Sequence, residues 1–242
     1  ITGSDAGGSG FKQINLPSGV IVAGSSATYT VSQNGSYSFV VYDNAGNSRT
    51  ISEQVTKIDK EAPGGGILGN PVNWTNKDAT LTLNAADTGG AGVKGVYLPN
   101  GTFVSTTTTA SYVATQNGTY TFRTVDFAGN ETSVSVTVTK IDKVAPTVAS
   151  VGGNPTQWTN QSQTLRVTGT DALSGVTAIK RPDNTVINGV VTDYTVHQNG
   201  GYVFTLTDAA GNSATYTVDV TKIDKGNPSQ SSVNISVNNS QQ

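Results

Sequence analysis

The sequence has no cysteine, no methionine and a single histidine, His197, and its fourteen lysines and arginines stand against sixteen aspartates and glutamates. Each scarcity removes a class of chemistry. Without cysteine there is no disulfide framework, no thiolate metal site and no cysteine nucleophile, while either redox compartment stays open. A net charge of −2 with basic residues scattered singly offers no stripe that neutralises a phosphate backbone, so no nucleic-acid partner is expected. No apolar run approaches the roughly 20 residues that cross a bilayer, so no membrane insertion is expected of this segment. No charged-then-apolar leader precedes Ile1, which says little about export, because the chain starts in the middle of a repeat. Glutamate occurs only at Glu53, Glu61 and Glu131, so a glycosidase carboxylate pair has no recurrent candidate.

Gly, Ser, Thr, Asn and Val are abundant, a mixture that favours β-strands joined by tight turns, and 242 residues suit two or three domains. One phrase, Asp-x-Ala-Gly-Asn, occurs at Asp43–Asn47, Asp126–Asn130 and Asp208–Asn212. Its glycines lie 83 and 82 residues apart, as do the Ile-Asp-Lys triplets that begin at Ile58, Ile141 and Ile223. Asn34-Gly35, Asn117-Gly118 and Asn199-Gly200 keep the period, as do Pro17, Pro99 and Pro182 and the pair Trp74 and Trp158. The chain therefore reads as an array. Its expected divisions are a first repeat over 1–62 that lacks its first strand and part of the second, full repeats over 63–145 and 146–227, and over 228–242 an opening strand of a further repeat or a donor strand.

Within a period, short alternating runs are broken by turn chemistry every eight to twelve residues, the pattern of a β-sandwich. In the third repeat, strands are predicted over 164–170, 175–180, 185–187, 192–196, 201–207 and 214–221. Pro182-Asp183 opens a turn, and Asn199-Gly200 is expected to supply the positive φ of a tight connection. In the 201–207 strand Tyr202, Phe204 and Leu206 point one way, Val203 and Thr205 the other.

Asn117-Gly118-Thr119-Tyr120-Thr121-Phe122 resembles the start of strand F in an immunoglobulin domain, where a tyrosine two residues before the second cysteine forms the tyrosine corner. Phe122 stands in the cysteine's place, as Phe39 and Phe204 do after Tyr37 and Tyr202, so the resemblance implies an aromatic plug instead of a disulfide. The tryptophans depart from the antibody pattern, lying ahead of strand B and not on strand C. Taken together, Asn-Pro-x-x-Trp-Thr-Asn, Asn-Gly-x-Tyr-x-Phe, Asp-x-Ala-Gly-Asn and Ile-Asp-Lys resemble bacterial Ig-like repeats of cell-surface proteins, large adhesins and some secreted enzymes. The resemblance implies an all-β chain of tandem Ig-like β-sandwich domains in an elongated array, at a bacterial cell surface or secreted.

The Asp-x-Ala-Gly-Asn loop has two readings. As a turn, Asp caps backbone amides, Gly takes a conformation others avoid and Asn tolerates the left-handed region. If the strands run as in an Ig sandwich, however, the B–C loop, the F–G loop and the chain entry meet at one pole. That gathers Asp59, Asp87 and Asp126 in the second repeat and Asp142, Asp171 and Asp208 in the third. Three carboxylates there repel one another unless a cation or solvent separates them, and calcium, which takes six to eight oxygens in flexible geometry, suits the place. The resemblance supports calcium at inter-repeat junctions. Lys57, Lys60, Lys140 and Lys143 could instead neutralise the linker aspartates as surface pairs.

Other residues carry less. His197 has no counterpart in the other repeats and is expected to be exposed at a strand end, and Leu98-Pro99-Asn100-Gly101-Thr102 is a hairpin turn. The tryptophans suit either a buried wedge under the first strand, the favoured reading, or a stacking platform for a sugar ring. Because nearly every notable residue recurs, the leading expectation is a non-enzymatic stalk or fibre segment of a bacterial extracellular surface protein or adhesin. The alternative is a carbohydrate-binding accessory region of a secreted hydrolase. Neighbouring Ig-like repeats are the expected partners, with a surface glycan and head-to-tail self-association through 231–242 as further ones.

Overall fold

The computed structural model describes residues 1–235; among them the chain is all-β, with no helix. In the first repeat β1 (Phe11–Asn15), β2 (Ile21–Ala23), β3 (Gly35–Asp43) and β4 (Ser48–Val55) form one antiparallel sheet in the order β2-β1-β3-β4. The second repeat has seven strands: β5 (Gly64–Leu68), β6 (Ala79–Ala86), β7 (Val93–Tyr97), β8 (Phe103–Ser105), β9 (Thr109–Ala114), β10 (Gly118–Asp126) and β11 (Glu131–Val138). They form two sheets, β5-β6-β9 and β11-β10-β7-β8. The third repeat runs through β12 (Thr147–Gly152), β13 (Gln163–Thr170), β14 (Val176–Lys180), β15 (Val186–Asn188), β16 (Val191–Val196), β17 (Gly200–Asp208) and β18 (Ser213–Val220). Its sheets are β12-β13-β16 and β15-β14-β17-β18, the strand distribution of an Ig-like sandwich.

By compactness the chain divides into two units, 1–68 with 81–112 and 120–136, and 69–80 with 113–119 and 137–242. In sequence, this division passes through strands of the second repeat. Residues 228–235 carry no strand, and the rest of the tail expected to act as an opening or donor strand, 236–242, lies outside the described residues.

Alternation decides what is buried. Along β17, Tyr202, Phe204 and Leu206 face inward, and Phe204 and Leu206 join Leu165, Val167, Ile179, Val196 and Val218 in the third repeat's core. Phe122 is fully buried like Phe204, so both occupy the inner position expected of a plug. Tyr37 and Tyr202 donate from their hydroxyls to the carbonyls four residues upstream, Gln33 at 2.7 Å and Gln198 at 2.8 Å, which is the tyrosine corner.

The turn expectation at Asn199-Gly200 needs correction. Gly200 has φ +158°, close to extended, and Asn199 is not at positive φ; only Thr106 and Asn184 among the described non-glycine residues are. Asn199 is instead a clamp, its Oδ1 accepting the Ile223 amide at 2.8 Å. Asn34 and Asn117 both accept the amide and donate to the carbonyl of Ile58 and Ile141, in each case across 24 residues. Ile141 and Ile223 are further tied by parallel bridges to Thr75 and Thr159, which follow the tryptophans.

Candidate metal centres

The Asp-x-Ala-Gly-Asn loops connect β3 to β4, β10 to β11 and β17 to β18. Each is a three-residue hairpin closed by the Asp amide on the Asn carbonyl, at 3.1 Å in all three. Gly46, Gly129 and Gly211 take the left-handed position at φ +94°, +94° and +87°, which glycine occupies without a Cβ penalty. The asparagines do not visit the left-handed region, contrary to the turn expectation. Their amides anchor the loop instead: Asn212 donates from N–H to Asp208 Oδ1 at 2.8 Å and from Nδ2 to Oδ2 at 2.7 Å, and Asn130 treats Asp126 alike. The same Nδ2 atoms reach the chain entry, Asn130 to the carbonyls of Asp59 and Glu61, Asn212 to those of Asp142 and Val144.

A register shift in the β7–β10 and β14–β17 ladders falls beside Asp126 and Asp208. The structure brings the sequence-identified residues together in two sets. Carboxylate oxygens of Asp59, Asp87 and Asp126 lie within 4.8 Å of one another, as do those of Asp142, Asp171 and Asp208. Asp126, Asp142 and Asp208 are buried, the other three half-buried. Each unit of the chain holds one set.

Backbone amides face these carboxylates. Asp59 accepts from Glu61 at 3.0 Å and Ala91 at 2.7 Å, and Asp87 from Gly89 at 3.0 Å and Gly92 at 2.6 Å. Asp142 accepts from Val144 and Ser174, each at 3.0 Å, and Asp171 from Leu173 at 3.0 Å and Gly175 at 2.8 Å. Burial pushes the Asp142 carboxyl up, but the Ser174 hydroxyl and the Val144 and Ser174 amides outweigh it, so its pKa falls below the ordinary value. Asp126 is likewise lowered, burial being overcome by hydrogen bonds from Asn130 and the loop amides. None of the ion pairs among the described residues involves the six aspartates. Lys143 pairs with Asp78, and Lys140 lies over the Trp74 ring at 4.6 Å, so neither neutralises a linker aspartate.

Whether a cation fits can be tested on the donors themselves. Three hard, anionic oxygens in reach of one centre are the donor set of calcium or magnesium. In the third repeat the Oγ of Ser174 is shut off from solvent beside Asp142, whose carboxylate its hydroxyl helps to hold ionised. The grouping of the carboxylates fits a divalent cation.

Residues 13–60 match the family model described as a bacterial Ig-like domain. The match bears out the resemblance read from the sequence motifs, and with the sheet topology it bears out the Ig-like fold class. Among solved structures, the SGBP-B protein of the Bacteroides ovatus mixed-linkage glucan utilization locus, in complex with a mixed-linkage heptasaccharide, is similar at 16% identity and a TM-score of 0.21. The likeness covers 86% of this chain and 59% of that one, so the chain spans about six tenths of that protein's length. At this score the likeness carries no argument. No curated protein matches the chain.

Outside the Ig-like poles, the wedge reading of the tryptophans fails. Trp74 is half-buried and Trp158 is 63% exposed, because the Asn-Pro loop that carries each lies outside the sheets. Lys222 covers one face of Trp158 at 4.7 Å, as Lys140 covers Trp74. His197 is exposed just past β16, as expected, with its Nδ1 2.8 Å from Ser162 Oγ, which also accepts from Lys225 at 3.0 Å.

Proposed function

We propose that the chain is a non-enzymatic, structural segment of a bacterial extracellular surface protein or adhesin, a stalk of Ig-like repeats over 1–62, 63–145 and 146–227 whose linkers are stiffened by calcium. The observation that carries this reading is the grip on the linker aspartates. Asp142 follows Ile141, which Asn117 clamps; its own amide donates to Thr75 at 2.9 Å, its carbonyl accepts from Asn212, and its carboxylate meets those of Asp171 and Asp208. A segment held at backbone and side chain from both flanking repeats has little freedom to bend. Pro63 and Pro146, soon after Ile-Asp-Lys, restrict it further.

Asp59, Asp87 and Asp126 would hold one cation and Asp142, Asp171 and Asp208 the other. When bound, calcium supplies positive charge that cancels carboxylate repulsion and ties linker to loops. Binding to the folded state alone adds RT ln(1 + [L]/Kd), about 2.7 kcal/mol at a hundredfold excess over Kd. Thermal melts of the full chain in millimolar calcium and in chelator test this. A higher melting temperature in calcium is expected, and superimposed curves would leave the aspartates as turn caps only.

A second reading is favoured by one observation, the exposure of Trp158, which leaves an aromatic face open to a pyranose ring. It makes the segment a carbohydrate-binding accessory region of a secreted hydrolase. A glycan pull-down separates the readings: a stalk retains nothing, whereas an accessory region retains a glycan and releases it on Trp158→Ala.

A further inference from the structure

We infer that the outer face of the sheet β11-β10-β7-β8 binds a neutral glycan, on a row of side chains formed by Phe103, Tyr97, Arg123 and Glu131. This goes beyond the stalk reading by giving one repeat a ligand of its own, and it depends neither on a cation nor on Trp158. Phe103 stands directly opposite Tyr97, and Tyr97 directly opposite Arg123, so the three share one face of three neighbouring strands. Phe122 points into the core, so Arg123 and Thr121 point to solvent. The same register holds Ile21, Asn15 and Val40 in the first repeat and Val186, Lys180 and Thr205 in the third. Glu131 opens β11 where Ser48 opens β4 and Ser213 opens β18. The same strands form without the row, so the fold does not call for it.

The row is stacked in advance. The Arg123 guanidinium lies 3.9 Å from the Tyr97 ring centre and pairs with the Glu131 carboxylate, and the Tyr97 and Phe103 rings are 4.7 Å apart at 42°. Gly95 lets Phe103 lie down on the sheet, since a Cβ there would come within 2.6 Å of the ring's Cζ. Phe103 is nonetheless 38% exposed, and the Arg123 and Glu131 side chains are 39% and 42% exposed. Side chains so held lose little freedom when a ligand arrives. Beside them runs an open groove of about 370 Å³, whose other lining residues, Leu98, Pro99, Gly101, Thr121 and Ser133, are uncharged. The third repeat has a groove of about 260 Å³ in the same place, but lined by Lys180, Arg181 and Val203. The groove is thus a product of the fold, and its chemistry belongs to the second repeat alone. That chemistry selects the ligand. An exposed ring accepts the C–H face of a pyranose, while a guanidinium and a carboxylate side by side donate to and accept from its hydroxyls. Because Arg123 and Glu131 cancel, the face offers no net charge to a phosphate, an acidic sugar or an acidic peptide.

A printed array of neutral and acidic oligosaccharides, probed with the labelled full chain in chelator, tests the inference. The unaltered chain should bind neutral members of the array. The triple variant Tyr97→Lys, Phe103→Val and Arg123→Thr, which carries the third repeat's residues in the same register, should weaken that binding on the order of tenfold or more, at an unchanged melting temperature. Should the triple variant melt lower, Phe103→Leu, which keeps an apolar cover over Gly95 but no flat ring, must still weaken binding. Trp158→Ala should leave it intact. Binding lost in Trp158→Ala and kept in the triple variant would move the glycan to the tryptophan and overturn the inference. Binding of acidic members alone, or a self-association in sedimentation that the triple variant abolishes, would overturn it as well. An array without signal would leave the row as a cover for Gly95 and would not touch the cation reading.

Discussion

Phe39 and Phe204 occupy the same place in the phrase Asn-Gly-x-Tyr-x-Phe, yet Phe204 is fully buried and Phe39 only half. Their near surroundings agree: Tyr29 meets Phe39 edge-on at 5.9 Å, and Tyr194 meets Phe204 edge-on at 6.2 Å. The difference lies in the second layer. Around Phe204, the sheet β12-β13-β16 contributes Leu165, Val167 and Val196 to the core, whereas the described strands of the first repeat form one sheet. Alternation within a strand thus selects the inner face, and only an opposing sheet converts that face into a core.

The largest expected effect follows from this contrast. Phe204→Ala should cost about 3 to 5 kcal/mol through the cavity it leaves. Phe39→Ala should cost about 1 to 2 kcal/mol, since less apolar surface returns to water. Urea unfolding of the two variants gives both numbers, and equal losses would break the comparison. The asparagines sharpen it at a smaller scale. Asn212 bonds two linker carbonyls as well as Asp208, while the Asn47 amide reaches only Asp43. Asn212→Ala should cost about 1 to 3 kcal/mol by leaving partners unsatisfied, and Asn47→Ala about 0.5 to 1.5 kcal/mol; a larger loss at Asn47 would contradict the linker role.

Acid should act through the lowered carboxyls. Asp142, buried and held ionised by Ser174 and the surrounding amides, titrates in the folded chain below its ordinary 3.8. A depressed folded pKa contributes stability that is present above the unfolded value and is lost as pH falls through the folded one. The melting temperature in chelator should therefore stay level from about pH 7 to 5 and drop below about pH 4. In the first repeat Asp43 is also lowered but only half-buried, so solvent screens its share. A decline already under way between pH 7 and 5 would contradict the assignment. The smallest effect is common to both regions: Tyr37→Phe and Tyr202→Phe should each cost about 0.5 to 1.5 kcal/mol, since both hydroxyls make the same bond at an exposed corner.

Much of the third repeat was legible because its strands alternate cleanly. All six predicted strands are present within a residue or two, and Asp87 with Asp126, and separately Asp171 with Asp208, could be grouped within their own repeats once an Ig-like strand order was supposed. The opening strands were less visible. Gly64–Leu68 begins with three glycines, and Thr147–Gly152, which runs into a glycine pair, is absent from the strands predicted for the third repeat. The clamps were missed because Asn-Gly looks like a turn signal. What could have revealed them is the constant separation of 24 residues between Asn34 and Ile58, Asn117 and Ile141, and Asn199 and Ile223. The tryptophans were misplaced because composition does not tell which side of a loop meets solvent.

The central claim, that calcium-bound linkers hold the repeats as a stalk, is tested most directly by small-angle X-ray scattering of the full chain in calcium and in chelator. A compact globule of 242 residues has a radius of gyration of about 18 Å. The account predicts a value well above this in calcium, with a rod-like scattering profile that loosens when chelator removes the ion. A radius near 18 Å, or profiles that coincide in the two buffers, would contradict it.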